Sequence, residues 1–224
     1  MAGSRSRSAL LVVVTSLFVA GAAAAADTWP RSEPNAADQA LAKKSVLHLS
    51  DFTPGSGWTV DPKGASSMSG SGSNADSCQV DDRGKVVTGT ASTSFRAPGF
   101  QVWSQAEVMQ TTAMVSLDVK QASDPDLIAC VRATLVKEMP KGTQFISLKK
   151  LAFPTVGDWT MAYRALVDVS VQASKIRLQL DIVFAQHHRV EITLMQMAPF
   201  AVSALAKAAE VRMVERLAGS SLVA

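Results

Sequence analysis

Residues that usually carry chemistry are scarce in this chain of 224 residues. It contains two cysteines and three histidines, and no serine lies in the G-x-S-x-G context of a nucleophile. His187 and His188 are adjacent at a predicted hairpin tip, where neighbouring side chains point to opposite faces and rarely share a metal ion. Asp76, Asp81 and Asp82 lack the regular oxygen spacing of a calcium loop. We therefore expect no catalytic residue, no metal site and no cofactor.

The chain also lacks a basic stripe. Without Arg5 and Arg7, which lie in a predicted leader, 20 basic residues face 19 acidic ones and the net charge is +1. These charges are interspersed, whereas phosphate binding requires basic residues clustered on one face. We expect no nucleic-acid partner.

The first 26 residues have the three parts of a secretory signal peptide. Arg5 and Arg7 form a positively charged start, residues 9–20 are apolar, and alanines precede a cut that we place before Asp27. No cysteine lies near this cut, so a lipid anchor is not expected. The prediction is a secreted protein, extracellular or associated with the cell wall, with no membrane span after cleavage.

The alternative to cleavage is a retained anchor. Residues 9–26 approach the ~20 apolar residues that span a bilayer. The alanine-rich end of the segment favours a signal peptide, because small residues mark the cleavage site.

Composition predicts how the remaining chain is divided. Residues 27–35 are polar with two prolines and are interpreted as a disordered spacer. Residues 36–219 form a single domain, interrupted at 63–77 by a flexible loop rich in glycine and serine. Residues 220–224 form a tail.

Hydrophobic periodicity predicts grouped strands rather than strands alternating with helices. The predicted helices cover 36–49, a short segment ending near 121, 124–139 and 200–217; the strands cover 85–95, 101–109, 143–153, 159–169, 174–185 and 189–197. The last four strands are joined by tight connections and should be sequential antiparallel neighbours. The fold class is α+β, an antiparallel sheet of about six strands with helices packed on it.

Alternation along the third strand of this meander predicts how the sheet is buried. Ile176, Leu178 and Leu180 share one face, and Arg177 and Asp181 share the other. We expect the first face to form the core and the second to be largely polar, with Arg164, Asp168, Arg177 and Asp181 forming an ordinary surface ladder.

A family resemblance rests on scattered structural motifs. The stretch 47–58 reads LHLSDFTPGSGW, and further motifs are a cysteine before the first long strand, the strand 102–109 leading to Cys130, the pair 157–158 and the pair 216–217. Together they resemble the actinobacterial extracellular sensor domains of the mycobacterial PknH type and their LpqN-like lipoprotein relatives. The resemblance implies a PsbP-like α+β fold and a sensor-like role. The chain departs from the pattern in having one possible disulfide rather than two.

That disulfide would join Cys78 to Cys130. An exported protein meets an oxidising compartment, and two cysteines allow only one intramolecular pairing. The alternative is two buried free thiols.

Aromatic side chains on the strands suggest a ligand cleft. Trp103, Trp159 and Tyr163 lie on predicted strands, and Arg164 follows Tyr163 on the opposite face. Aromatic walls with a few polar groups are typical of small-molecule clefts, although such rings more commonly fill the core. We therefore predict a non-catalytic binding domain for a small apolar or amphipathic ligand or a cell-envelope partner; the alternative is a secreted hydrolase whose site has no recognisable motif.

Overall fold

The computed structural model describes residues 30–62, 83–139, 142–171 and 174–220. Within these ranges the chain forms eight strands, four α-helices and two 3₁₀ helices. The strands are β1 (Arg31–Ser32), β2 (Thr59–Val60), β3 (Val86–Ala97), β4 (Phe100–Met109), β5 (Thr143–Lys150), β6 (Trp159–Val171), β7 (Ser174–His187) and β8 (Val190–Pro199). The α-helices are α1 (Ala36–Lys44), α2 (Thr112–Ala122), α3 (Pro125–Glu138) and α4 (Ser203–Ser220), and the 3₁₀ helices are Leu49–Asp51 and Phe200–Val202.

The strands form one sheet in the order β1-β3-β4-β8-β7-β6-β5, with β2 paired beside β3. All pairs are antiparallel except β1 with β3. The β3–β4 hairpin turns at Pro98 and Gly99, where glycine adopts a φ of 80°. The predicted α+β class and the meander β5 to β8 are confirmed, and six of the eight strands are long.

Helices cover both faces of the sheet. The main core lies on the face under α1 and α4, where Ala42, Val214 and Leu217 cluster with Val102 and Leu194 of the central strands. On the opposite face, Val115 of α2 packs with Val87 and Met109. We call these the α1/α4 face and the α2/α3 face.

The expectation of one largely polar face is therefore wrong. Asp181 and Gln179 lie on the α1/α4 face and have no exposed surface. Their neighbours along β7, Val183 and Ala185, belong to the main core. Alternation along β7 correctly predicts which side chains share a face of the sheet. It does not predict that a helix covers the face that carries Gln179 and Asp181.

Pairing with the sheet begins inside the segment 27–35, the predicted spacer. The backbone N–H groups of Arg31, Glu33 and Asn35 donate to carbonyl groups of residues 85, 87 and 88. The predicted signal peptide 1–26, the loop 63–77 and Cys78 lie outside the described residues. In the described part of the chain, no helix is long and apolar enough to cross a membrane.

Candidate functional site: an aromatic cavity with two arginines

A cavity of about 720 Å³ opens where the β3–β4 turn meets α4 and the segment 47–58. Its apolar lining consists of Leu47, Phe52, Trp58, Ala97, Pro98, Phe100 and Met213, and its polar lining of Asp51, Thr53, Ser56, Gln196, Arg212 and Arg216. We call it the aromatic cavity. It lies on the α1/α4 face, because Gln196 belongs to the side of β8 that also carries Leu194.

A tight local turn builds the aromatic wall. The 3₁₀ helix Leu49–Asp51 is closed by a hydrogen bond from the His48 N–H to the Asp51 carboxylate, at 2.6 Å. Gly55 and Gly57 then adopt φ values of 77° and 82°, which are open to glycine at little steric cost. The chain reverses through them and brings Trp58 back onto Phe52.

Three aromatic contacts follow from this reversal. The rings of Phe52 and Trp58 stack with centroids 4.5 Å apart. Phe52 also packs on Phe95 of the core at 5.0 Å, and Trp58 approaches Phe100 of β4 at 6.5 Å. Because Phe52 and Phe95 are buried, the core supports the wall, while Trp58 and Phe100 are partly exposed.

The two arginines of the cavity differ in what they bind. Arg216 forms an ion pair with Asp51 and donates to the backbone carbonyl of Val46 at 2.8 Å. Its charge is therefore largely balanced. Arg212, one turn earlier in α4, is exposed and makes no hydrogen bond or ion pair with any residue that the structure describes. The lining consequently carries one positive charge in excess.

Gln196 is the deepest polar residue of the cavity lining. The residue is only 2 % exposed, and its side chain lines the cavity. An amide that faces a cavity can donate a hydrogen bond to a bound polar atom and accept one from it.

Behind Gln196 lies a buried charged cluster. Asp181, the register partner of Gln196 on β7, accepts a hydrogen bond from Arg164 Nε at 2.6 Å and another from Gln179 at 3.2 Å. The hydrogen bond to Asp181 is the largest cause that raises the pKa of Arg164. The charge of Glu210, which is fully buried on α4, raises this pKa further. This cluster binds α4, and with it Arg212, to the sheet.

A second cavity, of about 260 Å³, lies on the α2/α3 face. It is lined mainly by apolar side chains, among them Ile128, Val131 and Ile182, and by Tyr163. The Tyr163 hydroxyl lies 3.0 Å from the sulfur of Met161, and burial raises the pKa of this phenol.

The four residues of the predicted cleft are not brought together around one cavity. Tyr163 lines the second cavity, Trp159 lines a neighbouring space of about 60 Å³, and Trp103 is 6 % exposed on the same face. Arg164 lies on the other face, under α4. The aromatic cavity was not anticipated, although the sequence stretch 47–58 and Arg216 belong to the motifs of the family resemblance.

Two other sequence expectations concern cysteines and histidines. Among the described residues no cysteine is a free thiol, but Cys78 is not among them, so the Cys78–Cys130 bond stays a prediction.

His187 and His188 lie against Asp158, with Nδ1–Oδ2 distances of 3.5 and 3.9 Å. Within the described ranges, no group of three His, Cys, Asp or Glu side chains could hold a metal ion.

Comparison with known proteins finds solved structures that share only 12% sequence identity with this chain. No family model and no curated protein matches the chain. An uncharacterised protein of Mycobacterium smegmatis, the Rv0999 ortholog, is 12% identical, with a TM-score of 0.41 over 81% of this chain and 98% of its own. A protein of unknown function from Pseudomonas aeruginosa is 12% identical, with a TM-score of 0.30 over 56% and 79% of the two chains. The Ran-binding protein Mog1p of Saccharomyces cerevisiae is 12% identical, with a TM-score of 0.22 over 59% and 87%.

Proposed function

We propose that this protein is a non-catalytic binding domain that holds a small amphipathic ligand in the aromatic cavity. The observation that carries the proposal is the cavity itself, about 720 Å³ in volume, with an aromatic wall on one side and Gln196, Arg212 and Arg216 among its polar groups. Small-molecule sites are typically clefts of roughly 300–1,000 Å³ with apolar linings and a few convergent polar groups. The composition of this lining matches that description.

The cavity is rigid where a ligand would need support. Phe52 is fixed between Trp58 and the core residue Phe95. Arg216 ties α4 to the segment 44–51 through its bonds to Asp51 and to the Val46 carbonyl. Such preorganisation favours binding because little order has to be gained when the ligand enters.

Binding can be tested with N-phenylnaphthylamine, an uncharged probe whose fluorescence rises in apolar surroundings. We expect saturable binding to the purified protein and its loss in Thr53→Trp, because Thr53 is an exposed residue of the cavity lining and the indole would fill the space. The matched control is Thr90→Trp, which adds the same ring at an exposed position on β3. Equal binding by both variants, or no binding by the parent protein, would refute the proposal.

We further propose that the protein is exported and acts as a sensor-like domain related to the PknH-type and LpqN-like proteins. The leader-like residues 1–26 and the motif stretch 47–58 support this view. Expression in an actinobacterial host should give an extracellular or wall-associated product whose mass begins within two residues of Asp27. A membrane-embedded product that retains Met1 would contradict export by cleavage.

A further inference from the structure

We infer that the ligand of the aromatic cavity is an amphipathic acid, with an anionic head group bound by Arg212 and an apolar body against Trp58 and Phe100. The inference rests on the proposed function and names its ligand class. The head group is an acid of the carboxylate or phosphate type, because both offer oxygens in the geometry that a guanidinium binds with two hydrogen bonds.

The first argument is the difference between the two arginines. Arg216 is already engaged by Asp51 and by backbone carbonyl groups. Arg212 is placed on the same wall by the same helix, yet no described residue pairs with it. The carboxylate that lines the cavity, Asp51, is paired with Arg216, so Arg212 at the edge of this apolar cavity attracts an anion and repels a cation.

The second argument is the order of the polar and apolar groups. Arg212 is exposed, whereas Trp58 and Phe100 are partly buried and Phe52 is only 8 % exposed. The lining therefore changes from charged at the mouth of the cavity to apolar in its interior. A ligand bound there keeps its charged end near solvent and buries its apolar body, as amphipathic side chains do at surfaces. Gln196, 2 % exposed, supplies a hydrogen-bonding group in the interior for a polar atom of the ligand.

The rival class is an uncharged apolar ligand, for which the aromatic wall alone would suffice. In that case Arg212 would contribute nothing to binding, and charge on the ligand would be a disadvantage. The two classes are separated by ligands that differ only in the charge of the head group.

The experiment measures displacement of N-phenylnaphthylamine by decanoate, methyl decanoate and decyl phosphate, all below their micelle concentrations. In the parent protein, we expect decanoate to displace the probe at about tenfold lower concentration than its uncharged ester, the usual effect of one charge-assisted hydrogen-bonded pair. Comparison of decanoate with decyl phosphate identifies the preferred acid. Added salt should weaken the acids and leave the ester unaffected.

Variants assign the effect to one residue. Arg212→Gln should remove the advantage of decanoate over its ester, and Arg212→Lys should keep part of it. Lys137→Gln, which removes one positive charge from an exposed position on α3, should leave all three ligands unchanged. Equal displacement by decanoate and its ester in the parent protein would overturn the inference, as would equal losses in Arg212→Gln and Lys137→Gln. If the probe binds in the cavity but these differences are absent, the proposed function stands and the acid class fails; if the probe does not bind there, both fail.

Discussion

Arg189, in the turn between β7 and β8, forms a two-point ion pair with Asp38 of α1, with Nη2–Oδ1 at 2.8 Å and Nη1–Oδ2 at 3.1 Å. The same guanidinium donates to the backbone carbonyl of Met109, the last residue of β4, at 2.8 Å. Thr88 of β3 donates to Asp38 as well, at 2.6 Å. The Asp38 carboxylate therefore joins α1 directly to β3 and to the β7–β8 turn, and through Arg189 to the end of β4.

Asp38→Asn should destabilise the protein in a way that depends on pH. Hydrogen bonds from Arg189 hold the pKa of the Asp38 carboxyl well below its ordinary value of 3.8. Because the folded-state pKa is lowered, the stabilisation is fully present above pH ~4 and is lost as the pH falls through the folded pKa. We expect a loss of about 2 kcal/mol at neutral pH, less than for a fully buried pair, since the Arg189 side chain is 36% exposed.

Urea denaturation of the parent protein and Asp38→Asn between pH 7 and pH 2.5 measures this difference. The two unfolding free energies should converge as the pH falls below 4. Asp126→Asn, which changes an exposed aspartate on α3, is the control. A difference that is constant over this range would show that the charge of Asp38 is not the cause.

Gly89→Ala should be severely destabilising. A Cβ at this strand position would lie 2.2 Å from the backbone oxygen of Asp38, and backbone in a helix cannot move aside cheaply. We expect a loss of about 3 kcal/mol in the free energy of unfolding. Gly219→Ala is the matched control, since nothing lies within 4 Å of its Cβ; it should be neutral or slightly stabilising. Similar effects of the two changes would contradict the close packing of α1 on β3.

Asp181→Asn and Asp168→Asn test two cross-strand pairs that look alike in sequence. Asp181 is fully buried with Arg164, whose side chain is 16% exposed, whereas Arg177, the partner of Asp168, is 46% exposed. Asp181→Asn should lose about 3 kcal/mol, because it removes the charged partner that forms hydrogen bonds with the Arg164 guanidinium under α4. The loss for Asp168→Asn should be several-fold smaller. Thermal and urea unfolding of both variants gives the comparison, and equal losses would show that α4 does not cover this face in solution.

Gln196→Met should weaken ligand binding with little effect on the stability of the free protein. The substitution removes the amide that lines the cavity and keeps a side chain of similar volume, so we expect a change of less than about 1.5 kcal/mol in unfolding free energy. Unfolding and decanoate displacement are measured on the same preparation. A larger loss of stability would indicate that Gln196 serves the fold rather than a ligand.

Thiol titration in denaturant without reductant tests the Cys78–Cys130 bond. We expect no free thiol in protein recovered from an oxidising compartment. After reduction, the unfolding free energy should fall by up to ~4 kcal/mol in the chain-entropy model, since the bond closes a long loop. Two free thiols per chain would refute the pairing.

Local patterns predicted most of the secondary structure. The helix expected at 124–139 runs from Pro125 to Glu138, begun by Asp124, whose side chain accepts from the Asp126 N–H. The strand expected at 159–169 runs from Trp159 to Val171. These elements follow from signals within a few residues of each other, namely helical spacing, a proline in the first turn and strict alternation.

What the sequence could not predict depends on contacts between distant segments. The aromatic cavity joins residues near 50, 100, 196 and 212, and no periodicity relates them. Burial of Asp181 has the same origin: its polar character predicts exposure, and only the placement of α4 with Glu210 overrides it. Conversely, Trp103 and Tyr163 were correctly placed on strands, but alternation gives no information on which of the two faces carries the larger cavity.

The position of β8 bears on the order in which the protein can fold. It is the last strand in the part of the chain that the structure describes, yet it lies in the middle of the sheet, between β4 and β7. Two sub-sheets, β3–β4 and β5–β7, can form as hairpins while the chain is still emerging, but nothing joins them until residues 190–199 are available. Such non-local pairing slows folding. The sheet can therefore be completed only when nearly the whole chain is available to pair.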